Sequence, residues 1–225
     1  MFFIKGINYI FGRCLNSKKI HLNFSLNYCN RKREIDIQNL DYIRLATLEL
    51  MAHEVNSNGL VGNVAEVGVY KGKFAKFINQ YFPERKLYLF DTFESFDEKD
   101  IQKENNLGLG NPLQDFSNTS VELVLQQMPF AKQCIIRQGF FPETAVDIED
   151  SFVFVNLDTD LYEPIYQGLL YFYPKIAKGG YLMVHDVNND NYRGARQAVE
   201  QFCEETGNVF TPLPDACGSV IFAKK

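Results

Sequence analysis

The chain predicts an α/β fold built on a mostly parallel, doubly wound sheet. Three observations carry that expectation. Short apolar runs alternate with segments of helical period from Val64 onward, the pattern of strands joined by crossover helices. The first of these runs passes directly into a glycine-bearing turn, Ala65-Glu66-Val67-Gly68-Val69-Tyr70-Lys71-Gly72, and a helical pattern begins at once. Three runs end in carboxylates, Asp91, Asp158 and Asp186, and strand carboxyl ends converge on one edge of such a sheet.

Residues 1–35 show no sustained period and are expected to form an arm of uncertain structure, while residues 36–225 form the organised domain. From Asp36 through Glu54 the apolar positions Ile43, Ala46 and Leu50 recur at helical spacing, and Asn56 to Gly62 breaks the pattern. Asn63 to Val69 reads as the first strand. Lys73 to Tyr81 follows as a helix with Phe74, Phe77, Ile78 and Tyr81 on one face, stopped by Pro83. Leu87 to Phe90 is wholly apolar, as a buried parallel strand should be, and ends at Asp91.

Thr92 to Asn118 is polar and acidic, lacks a clear period, and is expected to be a long loop of the kind that closes over binding sites. Val121 to Met128 resumes a helix, Cys134 to Ile136 a strand, and Phe152 to Leu157 the clearest strand of all, ending at Asp158. Leu161, Ile165, Leu169 and Phe172 mark a helix that tolerates Pro164 in its first turn. Lys178-Gly179-Gly180 reads as a turn before the strand Tyr181 to Val184, which runs into His185-Asp186. Ala195, Val199 and Phe202 define the last helix, closed by Gly207. Asn208 to Thr211 and Ser219 to Phe222 are two further strand candidates.

Apolar residues make up 46% of the chain and charged residues 23%, which excludes wholesale disorder. The net charge of -5 argues against a nucleic-acid partner, which needs unopposed Lys and Arg. Arg31-Lys32-Arg33 is short and followed by acids. Met1 to Phe11 is apolar but interrupted by Lys5, too short to span a membrane and without a small-residue cleavage site, so no stable membrane insertion is expected. The five cysteines, Cys14, Cys29, Cys134, Cys203 and Cys217, contain no C-x-x-C pair and suit the reduced, packing thiols of a cytoplasmic protein.

The turn at Glu66 and Gly68 has the order Glu-x-Gly-x-x-x-Gly rather than the G-x-G-x-x-G that seats a pyrophosphate, which favours S-adenosylmethionine over NAD. Asp91 lies 23 residues beyond Gly68, where the acid ending a second strand can accept hydrogen bonds from both ribose hydroxyls. Asp158 and Asp186, with His185 beside the latter, form a candidate hard-metal site. Mg²⁺ needs only a few protein oxygens, and a histidine ligand widens the choice to Mn²⁺ or Fe²⁺. Asp158 and Asp160 are equally suited to capping the helix that follows, and His185 to closing a strand.

Five strings taken together resemble the TylF/MycF-type macrocin O-methyltransferase family: Glu66-Val67-Gly68-Val69, Leu89-Phe90-Asp91-Thr92-Phe93-Glu94, Gly139-Phe140-Phe141, Leu157-Asp158-Thr159-Asp160-Leu161-Tyr162-Glu163, and His185-Asp186 followed by Arg196-x-Ala198-Val199. The likeness runs from about Asp41 to the C-terminus. It implies a class I methyltransferase (Rossmann-like) sheet with an antiparallel C-terminal strand, S-adenosylmethionine as methyl donor, a divalent metal (Mg²⁺ first, then Mn²⁺ or Fe²⁺), and a sugar or natural-product hydroxyl as acceptor.

The resemblance further implies that Glu66, Gly68, Asp91, Thr92, Gly139 and Phe140 line the cofactor site, to which the glycine-bearing turn adds Gly72. Asp158, His185 and Asp186 would carry metal binding and catalysis. Where the family commonly has Asp-Asp-Tyr after the fifth strand this chain has His185-Asp186-Val187, and Phe140 stands where tryptophan is frequent. His185 as ligand or as base, the metal, the acceptor and any homo-oligomer stay open. A phenol or catechol O-methyltransferase and a non-catalytic S-adenosylmethionine-binding scaffold are the alternative functions.

Overall fold

The computed structural model describes residues 41–225 apart from residue 111. The expectations for the arm, for Cys14 and Cys29, and for Arg31-Lys32-Arg33 lie outside the described residues. A seven-stranded sheet has the order β3-β2-β1-β4-β5-β7-β6. Its strands are β1 (Asn63–Val67), β2 (Leu87–Asp91), β3 (Cys134–Gln138), β4 (Phe152–Leu157), β5 (Ile176–Val184), β6 (Thr211–Pro212) and β7 (Val220–Ala223). Neighbours among β1 to β5 pair in parallel, and β7 pairs antiparallel with both β5 and β6. The strand order reverses between the paired strands β1 and β4, so the connections leaving their carboxyl ends run in opposite directions and leave the crevice in which open α/β sheets bind ligands.

Helix α1 (Tyr42–Ser57) starts where Asp41 caps it, its carboxylate accepting from the amides of Ile43 and Arg44 at 2.8 and 3.1 Å. Its buried residues are Leu45, Ala46, Leu48, Met51, Ala52 and Val55, with Arg44 among them. Of the stripe expected through Ile43, Ala46 and Leu50, Ala46 is buried, whereas Ile43 and Leu50 are only half-buried and an arginine takes an inward position. Helix α2 (Lys73–Tyr81) lies as expected, burying Phe74, Phe77 and Ile78.

Three expectations are corrected. The span read as a loop contains α3 (Glu98–Asn106), capped by Asp97. Its inward residues are the acids Asp100 and Glu104 rather than apolar side chains, so hydrophobic period could not reveal it. Glu104 is buried because its two oxygens accept from the amides of Tyr162 and Gly194, 2.9 and 3.1 Å away, at the starts of α5 (Tyr162–Phe172) and α6 (Arg193–Thr206). One carboxylate thus serves the unpaired donors of two helix N-termini. A Cβ at Gly194 would lie 2.3 Å from the Glu104 carboxylate, which fixes that glycine.

Second, Lys178-Gly179-Gly180 is part of β5, in a bulge where the register against β4 shifts between Phe152 and Phe154. A Cβ at Gly180 would sit 2.8 Å from the Val153 carbonyl oxygen, so the glycine serves close strand approach. Third, the tail strands begin later than expected, at Thr211 and Val220. Helix α4 (Val121–Gln127) and the strands β3 and β4 match the apolar runs that predicted them.

One face of the sheet is filled by aromatic rings: Phe172 packs against Phe90, Phe141 and Phe152 with centroids 5.8, 5.9 and 5.1 Å apart. This packing makes the strands a rigid base for the loops at their carboxyl ends. Removing the shared cap should be costly: Glu104→Ala is expected to lower unfolding stability by about 2–3 kcal/mol, because two buried amides lose a charged acceptor. Glu104→Gln should cost less, and the midpoint of urea denaturation measures both.

Candidate active site

At the β1/β4 crevice lies a cavity of about 400 Å³, lined from the ends of β1, β2, β4 and β5 and by α3. That volume is in the range of small-molecule sites. Four non-glycine residues with left-handed backbone, Tyr70, Phe93, Asp160 and Asp186, each follow one of those strand ends, at φ 49°, 58°, 63° and 60°. Such conformations cost about 1–3 kcal/mol apiece and gather where side chains must be aimed.

The β1 turn is held by Asp91. One carboxylate oxygen accepts from the amides of Val69 and Tyr70, both at 2.7 Å, and the other from Phe93 at 2.7 Å. A carboxylate offers about four acceptor sites, so a ribose hydroxyl can still be received. Gly68 has φ 85°, and a Cβ there would stand 2.1 Å from the Asp158 carbonyl oxygen. Its glycine is demanded by the β4 end, where the backbones of β1 and β4 pass in close contact. Thr92 accepts from the Glu94 amide and donates to the Ser95 carbonyl, and Gly139 donates its amide to the Asp91 carbonyl. Phe140 lies under the Lys99 ammonium, 4.7 Å from the ring centroid. Glu66, Gly68, Asp91, Thr92, Gly139 and Phe140 all line the cavity. Gly72 does not; it starts α2 in left-handed conformation and packs toward Val124 and Met128 of the α4 region.

A polar chain crosses the crevice floor. Asn156 donates to Glu66 at 2.8 Å and accepts from Arg44 at 3.3 Å; Arg44 reaches Asp158 at 2.7 Å. The Nδ1 of His185 lies 3.0 Å from Asp158 and 2.6 Å from Asp186, and Asn189 donates to Asp186 at 2.8 Å. The three residues expected to act together, Asp158, His185 and Asp186, are therefore in contact. Their charges are not independent. Burial works to raise the Asp158 carboxyl, but Arg44 and His185 outweigh it and hold it well below the usual range.

Burial works against the His185 cation, yet Asp158 lifts its pKa to about 10, so the imidazole is protonated at neutral pH. Asp186 is held below its ordinary value against burial by the hydrogen bond from His185, while Asp160 is raised by burial and then by Asp186 and Asp158. Glu66 is pushed up to about 8, first by burial and then by Asp158, and its second oxygen is buried without a hydrogen-bond partner.

Sequence reasoning missed four residues here. Arg44 sat inside a helical stripe, where its one signal was a charge among inward positions. Asp100 lines the cavity with a buried, unpaired Oδ1, its pKa raised to about 7 by burial and then by Asp97, Glu163 and Glu104. Glu104 orients α3. Cys217, expected only to pack, lies in the cavity wall, and its sulfur groups with ligand atoms of His185 and Asp186 within 4.8 Å. The other described cysteines, Cys134 and Cys203, are free and half-buried. Aromatic rings also line the cavity, with Phe116 edge-on to Tyr70 and Phe96 at 5.0 and 5.1 Å and Tyr192 6.1 Å from Phe96. Tyr192 donates to Gln114 and Tyr70 to Asn118, which anchors the segment after α3 over the cavity.

Removing one partner from the buried ion pair should expose its cost. Asp158→Ala leaves Arg44 buried and uncompensated and is expected to destabilise the fold by about 3–5 kcal/mol, much of it recovered by adding Arg44→Met. Urea melts of the single and double variants measure it. The Glu66 pKa, raised from 4.5 to about 8, means that its contribution to stability is full below 4.5 and lost as pH rises through 8. Glu66→Gln should therefore flatten the fall in melting temperature between about pH 4.5 and about pH 8.

The model of the macrocin-O-methyltransferase (TylF) family matches residues 36–225. Among solved structures, the O-methyltransferase NovP superposes with a TM-score of 0.66 at 20% identity, over 81% of this chain and 79% of NovP. The calicheamicin methyltransferase CalS11, also described as a TDP-rhamnose 3'-O-methyltransferase, gives 0.64 at 19% identity, over 80% and 78%. TomG, an O-methyltransferase of tomaymycin synthesis from Streptomyces achromogenes in complex with SAM, gives 0.54 at 11%, over 80% of each chain. At these identities the structures share a fold with this chain. No curated protein sequence matches it.

Proposed function

The chain belongs to the macrocin-O-methyltransferase (TylF) family, and on that premise we propose that it transfers a methyl group from S-adenosylmethionine to a hydroxyl of a sugar or natural-product acceptor, aided by a divalent metal. The observation that carries this is the division of one cavity: the Gly68 turn and Asp91 on the β1–β2 side, and Asp158, His185, Asp186 and Cys217 across the strand-order reversal. One side suits a nucleoside and the other a reacting hydroxyl.

The donor would lie along the Gly68 turn with its ribose at Asp91 and its base toward Gly139 and Phe140. The aromatic wall of Phe96, Phe116 and Tyr192 suits the apolar face of a ring acceptor and keeps bulk water from the sulfonium. Transfer needs the acceptor oxygen in line with the methyl carbon, and the hydroxyl must lose its proton as the bond forms. His185, held as a cation between two carboxylates, must give up a ring proton before it can serve either as a ligand or as the general base, and a divalent ion bound beside it would favour that loss.

The donor set fits a cation, since a histidine nitrogen, a carboxylate and a sulfur converge within 4.8 Å beside further acids. A divalent ion held there supplies Lewis-acid stabilisation of the developing alkoxide. Asp158 would act next to it, its charge shared with Arg44. CalS11 is named as a TDP-rhamnose 3'-O-methyltransferase of calicheamicin biosynthesis, which supports a sugar or natural-product acceptor over a phenol or catechol.

The same reading proposes no nucleic-acid partner and a cytoplasmic setting. Among the described residues no helix is long and apolar enough to cross a membrane.

Calorimetry with S-adenosylmethionine should show binding to the wild type, weakened about tenfold or more in Asp91→Ala, which loses both the ribose contact and the turn's anchor. Incubation of a nucleotide-sugar and glycan pool with labelled donor should yield a product heavier by one methyl group, and EDTA should stop it. Competition by a catechol at equal concentration would favour the phenol alternative. Donor binding without transfer under any added divalent ion would mark a scaffold.

A further inference from the structure

The structure assigns Cys217 as a metal ligand: we propose that His185, Asp186 and the Cys217 thiolate form a nitrogen, oxygen and sulfur site selective for a borderline first-row transition ion of the zinc class over Mg²⁺. The proposal rests on the methyltransferase reading only for what the ion does there, and not for the site itself.

The geometry is local and built. Ligand atoms of the three residues lie within 4.8 Å of one another at the carboxyl end of β5. Antiparallel pairing of Val184 with Val220 brings the end of β5 beside the start of β7, and Cys217 lies just before β7. Two backbone bonds then fix the loop: the amide of Val187 donates to the Gly218 carbonyl at 2.9 Å and that of Asn188 to the Cys217 carbonyl at 3.0 Å. Gly218, at φ 71°, is demanded by this approach, since a Cβ would fall 2.5 Å from the Asn188 side chain. Asn189 steadies Asp186 from its other oxygen. The thiol is therefore positioned by the same contacts that position the carboxylate.

Donor chemistry then decides the ion. Mg²⁺ and Ca²⁺ take oxygen ligands and gain little from sulfur or imidazole, whereas zinc-class ions bind thiolate, imidazole and carboxylate together. Three protein ligands with an open fourth position is the arrangement of catalytic zinc sites. Asp158 is less available, since Arg44 holds one of its oxygens at 2.7 Å and that cation repels a metal. Binding replaces the thiol proton by the metal–sulfur bond and one His185 ring proton by the metal–nitrogen bond, and both protons pass to solvent.

The test is titration of the full chain, reduced and stripped of metal, with Co²⁺ under anaerobic conditions. A near-ultraviolet sulfur-to-cobalt charge-transfer band is expected in the wild type and in Cys203→Ser, and its loss in Cys217→Ser. Cys217→Asp keeps an oxygen donor and should retain visible cobalt bands without the charge-transfer band, which also shows that the variant folds. Mg²⁺ in large excess should leave the wild-type band unchanged. Absence of the band, its persistence in Cys217→Ser, or its displacement by Mg²⁺ overturns the assignment. Donor binding and methyl transfer are measured on the same samples: transfer without a thiolate band sinks only the ligand assignment, and a thiolate band without transfer sinks only the methyltransferase reading.

Discussion

The Arg44 to Asp158 contact is the interaction on which the crevice depends. At the carboxyl ends of β1, β4 and β5, Glu66, Asp158, Asp160 and Asp186 are brought close together out of bulk water. Carboxylates so placed repel and resist ionisation unless a cation answers them. Arg44, delivered from α1 and stacked 4.0 Å over the Phe74 ring, supplies that charge, and His185 supplies a second. The helix that precedes the sheet in sequence is thus part of the site floor. Its position at the crevice follows from electrostatics as much as from its apolar stripe.

Two carboxylates at the edge of this network do structural work that prepares the site. Asp91 spends three acceptor positions on backbone amides and so shapes the turn before any ligand arrives. Glu104 ties α3 to the starts of α5 and α6, which brings Asp100 and Phe96 to the cavity wall. In both cases an acid satisfies amides that helix or strand geometry leaves without partners. The cavity is therefore preformed by polar tethers around a rigid aromatic core.

Charge placement also divides the labour across the strand-order reversal. On the β1–β2 side the carboxylate is committed to backbone donors, which suits holding a neutral ribose. On the β4–β5 side carboxylates, imidazole and thiol converge with left-handed backbone at Asp160 and Asp186 aiming two of them inward. On the function proposed above, one half would present the donor and the other would activate the acceptor oxygen.

The sequence by itself determined the alternation of strands and helices, the turn at Gly68 and the acids at three strand ends, because each leaves a local mark: an apolar run, a glycine, a carboxylate at a boundary. It also specified Asp91, Asp158, His185 and Asp186 as residues that would meet, since strand ends share one edge, and the family resemblance added Glu66, Gly139 and Phe140. Only the tertiary structure decided what these groups touch. Helix α3 was hidden because its inward face is acidic. The role of Arg44 was hidden because its partner lies 114 residues away, and that of Cys217 because an antiparallel tail strand carries it to β5. Gly72 looked like part of the cradle and packs against α4 instead. Local pattern records what a residue must be for its own segment, whereas pairing of buried charges is set by distances that exist only once the sheet has assembled.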